Sequence, residues 1–513
     1  MKRKVKYLVL ILIMILTIPT IWGLIHSGFF PSDDGNWMVI RFSAFYEALR
    51  EGQFPVRFLV RLNNTYGYPV SDFLYPLFMY LAVPIHVLGF SFVSSIKILF
   101  GISMIFSTVF SYLWLRKKFT ILASLVGSLT YTYFPYHLFD LYKRGSIGEI
   151  LALAIVPFVF WQIERKNLPL TSLGIGLLIL SHNTVALLFL PIIFIYMLLI
   201  KIKIQKIILS FAISLGLSIF FWLPALYDSQ FTIFSKTAVS EYSKYFVSFN
   251  DLSLFGFISL LTLLLAIAIL FLKRSRNFTY FFLVFIVFSF LSLSLSQLVW
   301  GLIPFTGVIQ FPFRLLSVVG LSCAYLIGYE VDFFKKNLKI IVSLIFLFLI
   351  FTSSKDFIYP KSFQYYPDSF YSTNLDTTTV RNEYMPRWVR SVPQSLPREK
   401  VEILEGKAEI SNLTNKGNIT FDIEAEQKSL ISINTIYFPG WIVKVNSSKV
   451  PIDYEKSGLI QFNIEPGSHR VSVYFTETPI RLFADIISLI ILVFVVYSLI
   501  FGSRVKFLRF LLI

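Results

Sequence analysis

Cysteine is nearly missing from this chain, since Cys323 is the only one in 513 residues. A single thiol excludes a disulfide framework and any metal site built from several cysteines. Cys323 lies inside an apolar run, so we expect it to pack in a core. The sequence also lacks a glycine-rich phosphate loop, a zinc-ligand spacing and a Ser-His-Asp order. Nucleotide-loop, zinc and serine-hydrolase chemistry therefore have no sequence signal.

Charged residues are scarce, and long apolar runs take their place. Only 15% of residues are charged and 56% are hydrophobic, and the mean hydropathy is +0.71. Many runs reach about 17 to 25 residues, the length that crosses a bilayer. We predict a polytopic α-helical membrane protein of about 12–13 spans, whose first span is not cleaved because no small-x-small site follows it. The predicted spans are residues 7–25, 94–115, 119–139, 147–163, 168–181, 184–200, 207–224, 253–272, 278–297, 313–331, 338–354 and 480–501.

Two parts of this span assignment stay open in the sequence. Residues 73–90 are apolar but contain Pro76 and Pro84, so they either cross fully or form a bent, partly inserted segment. Residues 171–200 are either one long span or two short ones separated by the polar triplet Ser181-His182-Asn183.

The basic excess belongs to the membrane part of the chain. The whole chain has 46 Lys+Arg and 29 Asp+Glu, a net charge of +17, whereas residues 352–479 hold 14 basic and 15 acidic residues, a net of −1. Basic clusters between spans mark cytoplasmic loops, so we expect no nucleic-acid partner. The same rule predicts a multi-pass plasma-membrane protein with both termini in the cytoplasm. The clusters are Lys2–Lys6, Arg116–Lys118, Arg165–Lys166, Lys201–Lys206, Lys273–Arg276, Lys335–Lys336 and Arg504–Arg509.

The sequence divides into three parts. Residues 1–352 form the predicted transmembrane domain, 353–479 an extracytoplasmic, mainly β domain, and 480–513 an anchoring span with a basic cytoplasmic tail. Alternating apolar residues punctuated by glycine-containing turns predict a small antiparallel β-sandwich from Val401 onward. In this domain Trp441 either contacts an acceptor or glycan or lies in the core. The alternating residues are Ile419, Phe421 and Ile423, and Val471, Val473 and Phe475.

Two adjacent carboxylates, Asp33 and Asp34, lie in the first predicted outer loop, residues 26–72. A helical repeat follows them and predicts an amphipathic helix on the membrane interface. Ser32, Asp33 or Asp34 could each cap this helix, and the carboxylates would oppose its dipole. At the rim of a membrane cavity they could instead act as a base or hold a metal ion. The repeating residues are Trp37, Ile40, Ala44 and Ala48.

Seven short motifs are spread in order along almost the whole chain. In this order the motifs resemble the GT-C glycosyltransferase superfamily, in the bacterial and archaeal branch labelled as a pyruvoyl-tetrahydropterin-synthase-related membrane domain. One departure is Met38, where relatives often carry a histidine four residues after the aspartate. The motifs are Asp34 with Arg41, Glu51–Arg57, Tyr66–Pro69, Tyr142–Glu149, Ser181–Asn183, Asn382–Pro386 and Tyr437–Trp441.

The resemblance implies transfer of a sugar from a polyprenyl-phosphate carrier to a glycan, lipid or protein acceptor on the outer face, with inversion. Asp34 would be the general base, with Asp33 as its neighbour and as a ligand if Mg²⁺ or Mn²⁺ takes part. Cations would hold the departing phosphate, since charge develops there. The predicted substrate-binding residues are Arg41, Arg57, Tyr68, Lys143, Arg144, Glu149, His182, Asn183 and Arg314.

Each assignment has an alternative. Arg144 and Glu149 could form a structural ion pair, His182 could cap a helix, and Arg314 could snorkel from the end of a span. For the whole protein, the alternatives are a lipid-linked glycan transporter or flippase, and a catalytically inactive scaffold for envelope assembly. No inverted repeat is evident, which counts against a transporter.

Overall fold

The computed structural model describes residues 2–234, 242–272, 275–302 and 309–501, with side chains from residue 7 onward. The predicted basic tail, residues 502–513, lies outside the described residues, as do Lys273, Arg274 and the side chains of Lys2–Lys6.

Helices make up the membrane part. Seven are long and apolar enough to cross a membrane, and six shorter apolar helices accompany them within the described residues. The prediction of a polytopic helical membrane protein is confirmed. The helices are α1 Lys2–Ile25, α2 Gly35–Arg50, α3 Val70–Phe73, α4 Leu77–Val87, α5 Phe92–Leu115, α6 Ile121–Tyr133, α7 Pro135–Phe139, α8 Ile147–Glu164, α9 Leu168–Ser181, α10 Asn183–Leu199, α11 Ile204–Asp228, α12 Gly256–Leu272, α13 Arg276–Ser292, α14 Gln297–Leu302, α15 Leu316–Phe333, α16 Lys336–Ser354, α17 Asp368–Ser372 and α18 Pro479–Phe501.

Both open parts of the span assignment receive an answer. The apolar segment at 73–90 forms α4, whose 11 residues extend only about 16 Å, roughly half the hydrocarbon core. A helix of this length is too short to cross the hydrocarbon core by itself. Residues 171–200 form two helices, because His182 has extended backbone between α9 and α10.

Close helix contacts depend on small residues. A Cβ added at Gly127 in α6 would lie 2.6 Å from the carbonyl oxygen of Ala324 in α15. The backbones of α6 and α15 therefore pack closely together, as small residues allow membrane helices to do. The central helices are the most buried, with 89% of the apolar window around α15 inside the protein.

Helix α2 confirms the predicted helix but not its predicted place on the interface. Residues on both sides of the helix are buried, including Met38, Phe42, Phe45 and Ala48. The helix therefore packs inside the protein, because the loop around it and the segment after α16 cover the face that spacing alone assigned to solvent.

The β domain consists of two antiparallel sheets with the strand orders β1-β4-β7 and β2-β3-β8-β5-β6. The predicted sandwich is confirmed, and Ile419, Phe421 and Ile423 are buried on alternate positions of β3. The strands are β1 Val401–Glu405, β2 Ala408–Lys416, β3 Asn418–Ala425, β4 Ser429–Ile436, β5 Trp441–Val445, β6 Ser448–Val450, β7 Leu459–Ile464 and β8 Gly467–Phe475.

Trp441 is a core residue of this domain. Its side chain is buried and its ring packs edge-on against Phe58 of the first loop, with centroids 5.5 Å apart. The interpretation of Trp441 as a glycan contact is therefore wrong. Phe58 and Phe73 share one apolar cluster with the strands, so the first loop and the β domain have a common core.

Candidate active site

Asp33 and Asp34 are held by backbone contacts with a distant turn. The amide of Asp33 donates to the carbonyl of Lys143 at 3.0 Å, and the amide of Asp34 donates to the carbonyl of Arg144 at 2.8 Å. The Lys143 ammonium also lies 2.8 Å from the Asp33 carboxylate. Two segments that are far apart in sequence therefore fix both carboxylates beside a basic pair.

Gly145 makes this approach possible. It follows the π-helical turn Asp140–Arg144 in left-handed backbone with φ +67°, a conformation that costs glycine little. A Cβ at this position would lie 2.5 Å from the Ser32 hydroxyl oxygen. Both the conformation and the available space therefore require glycine.

Behind Asp34 lies a group of five charged residues, which we call the inner charge cluster. It consists of Asp34, Asp140, Arg144, Glu149 and Arg314. Arg144 Nη1 lies 2.6 Å from Glu149 Oε2 and 3.1 Å from Asp140 Oδ1. Arg314 Nε lies 3.1 Å from Glu149 Oε2, and Arg144 Nη2 lies 3.4 Å from Asp34 Oδ2. Residues from four separate elements thus meet around one glutamate.

Asp34 is the accessible member of the cluster. Its side chain is 32% exposed, whereas that of Arg144 is 5% exposed and the side chains of Glu149 and Arg314 are buried. Within the described residues, the Asp34 carboxylate makes no capping hydrogen bond to α2. The amide of Gly35 is instead satisfied by the hydroxyl of Ser32 at 3.2 Å. The helix-cap interpretation of Asp34 therefore lacks its hydrogen bond, and the carboxylate faces Arg144.

Asp140 and Tyr136 belong to the site but were not predicted. The Tyr136 hydroxyl donates to Glu149 Oε1 at 2.6 Å. Burial, then the charge of Glu149, raises the pKa of the Asp140 carboxyl well above its usual range, against the opposite effect of Arg144. The position of Asp140 four residues before Arg144, a helical pairing distance, was the available sequence signal.

Aromatic rings cover the two arginines. The Arg144 and Arg314 guanidinium carbons lie 5.3 and 5.1 Å from the Phe311 ring centroid, and Arg144 also lies 5.5 Å from that of Phe313. These distances suit cation–π attraction. Arg314 is buried, which is inconsistent with the snorkelling interpretation.

His182 has two roles at once. Its Nδ1 accepts a hydrogen bond from the amide of Val185 at 3.3 Å, which caps α10. Its Nε2 lies 3.9 Å from Glu149 Oε2, and its ring lies 4.6 Å from that of Tyr75. The capping interpretation and the site-lining interpretation are therefore both consistent with the geometry.

The variant Gly148→Ala is expected to destabilise the protein, because Gly148 packs directly against Tyr75 and the backbone of Ser181. A Cβ at Gly148 would lie 2.0 Å from Tyr75 Cε2 and 2.6 Å from the backbone oxygen of Ser181. The backbone oxygen cannot rotate away, so overpacking should cost about 1–3 kcal/mol. Thermal unfolding in detergent measures the effect. Gly101→Ala is the control, because its Cβ would meet only Leu24 Cδ1, at 3.9 Å, and equal melting temperatures for both variants would contradict the prediction.

Arg57 lies in a different group, which we call the anchor cluster. This cluster joins the first loop, the end of α11 and the start of α18. Arg57 lies 2.9 Å from Asp485 and 3.5 Å from Asp72, and Arg481 lies 2.8 Å from Asp228 and 3.6 Å from Asp72. The cluster consists of Arg57, Asp72, Asp228, Glu477, Arg481 and Asp485. Within the described residues, no ion pair joins it to the inner charge cluster.

Arg41 and Tyr68 bind the segment that follows α16. Arg41 Nε donates to the Thr378 hydroxyl at 2.9 Å, and the Tyr68 hydroxyl lies 3.0 Å from that of Thr379. Met38 is buried and its sulfur lies 3.7 Å from Arg41 Nη1. Asn183 is exposed at the first turn of α10. Roles of these residues in substrate binding stay predictions.

A divalent metal ion finds few ligands here. Among the described residues, no group of three His, Cys, Asp or Glu side chains is arranged to bind one. Asp33 and Asp34 are paired with Lys143 and Arg144. The residues present therefore do not fit a Mg²⁺ or Mn²⁺ ion held by the protein alone.

Comparison with known proteins gives distant similarities. No protein-family model matches the chain. An uncharacterized protein of Lactococcus lactis subsp. cremoris (strain MG1363) is 25% identical over 272 residues, which is 48% of this chain and 43% of that protein.

Solved structures of two glycosyltransferases are also similar. Arabinofuranosyltransferase AftD from Mycobacteria is 12% identical with a TM-score of 0.49, covering 70% of this chain and 27% of AftD. The Archaeoglobus fulgidus oligosaccharyltransferase in its apo form is 11% identical with a TM-score of 0.46, covering 73% of this chain and 56% of that chain. Both belong to the GT-C superfamily. The chain spans 27% of AftD and 56% of the Archaeoglobus fulgidus oligosaccharyltransferase.

Proposed function

We propose that this protein is an inverting membrane glycosyltransferase. It moves a sugar from a polyprenyl-phosphate carrier to a cell-envelope acceptor on the outer face of the plasma membrane. The observation that carries the proposal is Asp34, an accessible carboxylate at the edge of an otherwise buried charge cluster. The order of motifs along the sequence supports the same chemistry.

Asp34 is proposed as the general base. In the transfer step the acceptor hydroxyl loses its proton to Asp34, and its oxygen forms a bond to the anomeric carbon. The bond from that carbon to the phosphate oxygen breaks, and polyprenyl phosphate leaves with the electron pair. Arg144 Nη2, 3.4 Å from Asp34 Oδ2, orients the carboxylate. A positioned base of this kind contributes about 10²–10⁴ in rate.

Lys143 is proposed to bind the departing phosphate. Its side chain is 62% exposed and pairs with Asp33, whose side chain is 51% exposed. Exposed ion pairs are worth about 0–1 kcal/mol, so exchange of this carboxylate for a phosphate oxygen costs little. Arg144 and Arg314 form ion pairs with the buried carboxylate of Glu149 instead, which fixes their guanidinium groups at one side of the site.

The proposal is tested by incubating the purified protein with labelled sugars on polyprenyl-phosphate carriers and a cell-envelope extract. Label is expected to move into the acceptor fraction with inverted anomeric configuration. A folded protein that transfers none of the sugars offered would contradict the proposal.

The variant Lys143→Ala is expected to raise the KM for the lipid donor about tenfold, a loss of one charged contact. Its melting temperature should stay unchanged, because the side chain is exposed. Lys143→Arg restores the charge and should restore donor use. An unchanged KM in Lys143→Ala would indicate that another cation binds the phosphate.

The transporter alternative has less support. The charged residues of the inner charge cluster lie between helices or at their ends, as Arg144 does in the turn before α8, Glu149 in the first turn of α8 and Arg314 before α15. Charges that carry a substrate across a bilayer lie along the middle of spans.

A further inference from the structure

A pocket opens beside the β domain and takes no part in the proposed transfer step. Its volume is about 580 Å³, which falls in the range of small-molecule sites. It lies where the chain after α11 meets the segment before β1, since the amide of Arg387 donates to the carbonyl of Phe231 at 2.8 Å. Its principal lining residues are Phe231, Arg387, Trp388, Tyr437, Tyr454 and Glu455.

Three half-buried aromatic rings form one side of the pocket. The Tyr437 and Tyr454 rings stack with centroids 3.9 Å apart and an interplanar angle of 14°. The Trp388 ring centroid lies 5.0 Å from that of Tyr454. All three side chains keep part of their surface open to solvent. The apolar C–H face of a sugar ring can pack on such a platform, as other apolar groups pack on the electron-rich faces of aromatic rings.

Backbone hydrogen bonds fix this platform. Trp388 Nε1 donates to the carbonyl of Tyr437 at 2.9 Å. The amide of Tyr437 donates to the carbonyl of Gly458 at 2.9 Å, and the amide of Gly458 donates to the carbonyl of Tyr454 at 2.8 Å. The rings come from three separate segments, yet each is tied to the next. Because the platform is already ordered before the ligand binds, less of the binding free energy is lost to ordering these side chains.

The rim of the pocket is polar and has no net charge. Arg387 and Glu455 are exposed, and neither side chain forms an ion pair or hydrogen bond with another described residue. A planar guanidinium and a planar carboxylate each offer paired hydrogen-bonding atoms, one as donors and one as acceptors. Neighbouring sugar hydroxyls can satisfy both. One positive and one negative group favour a neutral ligand over a phosphate or a nucleic acid.

We propose that this pocket binds a neutral oligosaccharide. In identifying that oligosaccharide as the acceptor glycan, the inference rests on the proposed function. Pro439 also lines the pocket and joins it to the anchor cluster, because its carbonyl accepts a hydrogen bond from Arg481 Nη1 at 2.8 Å. The pocket thereby holds the acceptor chain at the junction between the β domain and the membrane helices.

The test measures binding without lipid donor, so that no transfer takes place. Neutral oligosaccharides are released from envelopes by mild acid, labelled at the reducing end and titrated into the full-length protein in detergent. The neutral pool is expected to bind. Trp388→Ala and Tyr454→Ala should weaken binding at least about tenfold, as loss of a central aromatic contact does, and the exposed Glu455→Gln should weaken it severalfold.

Two controls separate loss of the site from loss of the fold. Tyr454→Phe keeps the ring and should bind as the wild type does. Tyr474→Ala removes a comparably buried ring from β8, outside the pocket, and should bind normally. The proposal would be overturned by binding that survives Trp388→Ala and Tyr454→Ala. It would also be overturned if only the anionic pool binds, if the neutral pool does not bind, or if the pocket prefers a proline-rich peptide, which also docks on aromatic grooves.

The two proposals fail in different ways. The Asp34→Asn variant should bind oligosaccharide normally, since Asp34 is outside the pocket. In transfer assays the pocket variants should raise the KM for the acceptor and leave kcat unchanged. If the protein binds oligosaccharide but transfers no sugar, the proposed glycosyltransferase activity is wrong and the proposed binding pocket stands. If it transfers sugar and the pocket variants leave the acceptor KM unchanged, the proposed pocket is wrong and the proposed activity stands.

Discussion

Replacement of Asp34 by asparagine is expected to abolish sugar transfer in a protein that stays folded. An amide has the shape of the carboxylate but cannot take the proton of an acceptor hydroxyl, so the rate should fall about 10²–10⁴-fold. The fold should tolerate the change, because the side chain is one-third exposed and its ion pair with Arg144 is 3.4 Å long. Single-turnover transfer from a labelled polyprenyl-phosphate sugar measures the rate, and the melting temperature reports the fold.

The neighbouring carboxylate provides the matched control. Asp33 is exposed and pairs only with Lys143 among the described residues, so Asp33→Asn should keep most of the activity. A wild-type rate in Asp34→Asn would move the base to another carboxylate. Equal loss in both variants would instead indicate that the acidic pair acts as a unit.

Replacement of Glu149 by glutamine is expected to cause the largest loss of stability in the site. The Oε2 atom of Glu149 receives Arg144 at 2.6 Å and Arg314 at 3.1 Å. Without this charge, two buried guanidinium groups lose their common partner, and breaking buried ion pairs in this way costs about 3–5 kcal/mol. The amide keeps the volume of the side chain, so the loss reports charge and not packing. Thermal or denaturant unfolding in detergent measures it.

An ion pair whose glutamate is exposed serves as the control. Glu47 lies 2.9 Å from Arg61, and its side chain is 46% exposed. Glu47→Gln should therefore change the free energy of unfolding by no more than about 1 kcal/mol. If both glutamine variants unfold at the same temperature, the inner charge cluster does not stabilise the fold.

Local patterns predicted the features that depend on local sequence. Apolar runs located the membrane helices, and the polar triplet around His182 located the break between α9 and α10. The repeat after Asp34 predicted α2 because a helical face needs only residues three and four apart. Burial of α2 on both sides was not predictable, since it depends on what the rest of the chain places over it.

Pairings between distant segments left no local signal. Arg57 lies in a motif of the first loop, and its position there predicted phosphate binding. Its ion-pair partners include Glu477 and Asp485, near the other end of the chain. The contact of Asp34 with Arg144, across 110 positions, was approached only through the order of motifs. Within an apolar chain, each isolated charge has few possible partners, but sequence spacing does not say which one it meets.

The anchor cluster also sets an order of events during synthesis. Arg57 and Asp485 are 428 positions apart, and at about 5–20 residues per second the ribosome needs roughly 20–90 s to cover that distance. For most of this interval the first loop exists while Glu477, Arg481 and Asp485 have not yet been made. The ion pairs of the anchor cluster that involve Arg481 and Asp485 therefore cannot form until α18 has been made.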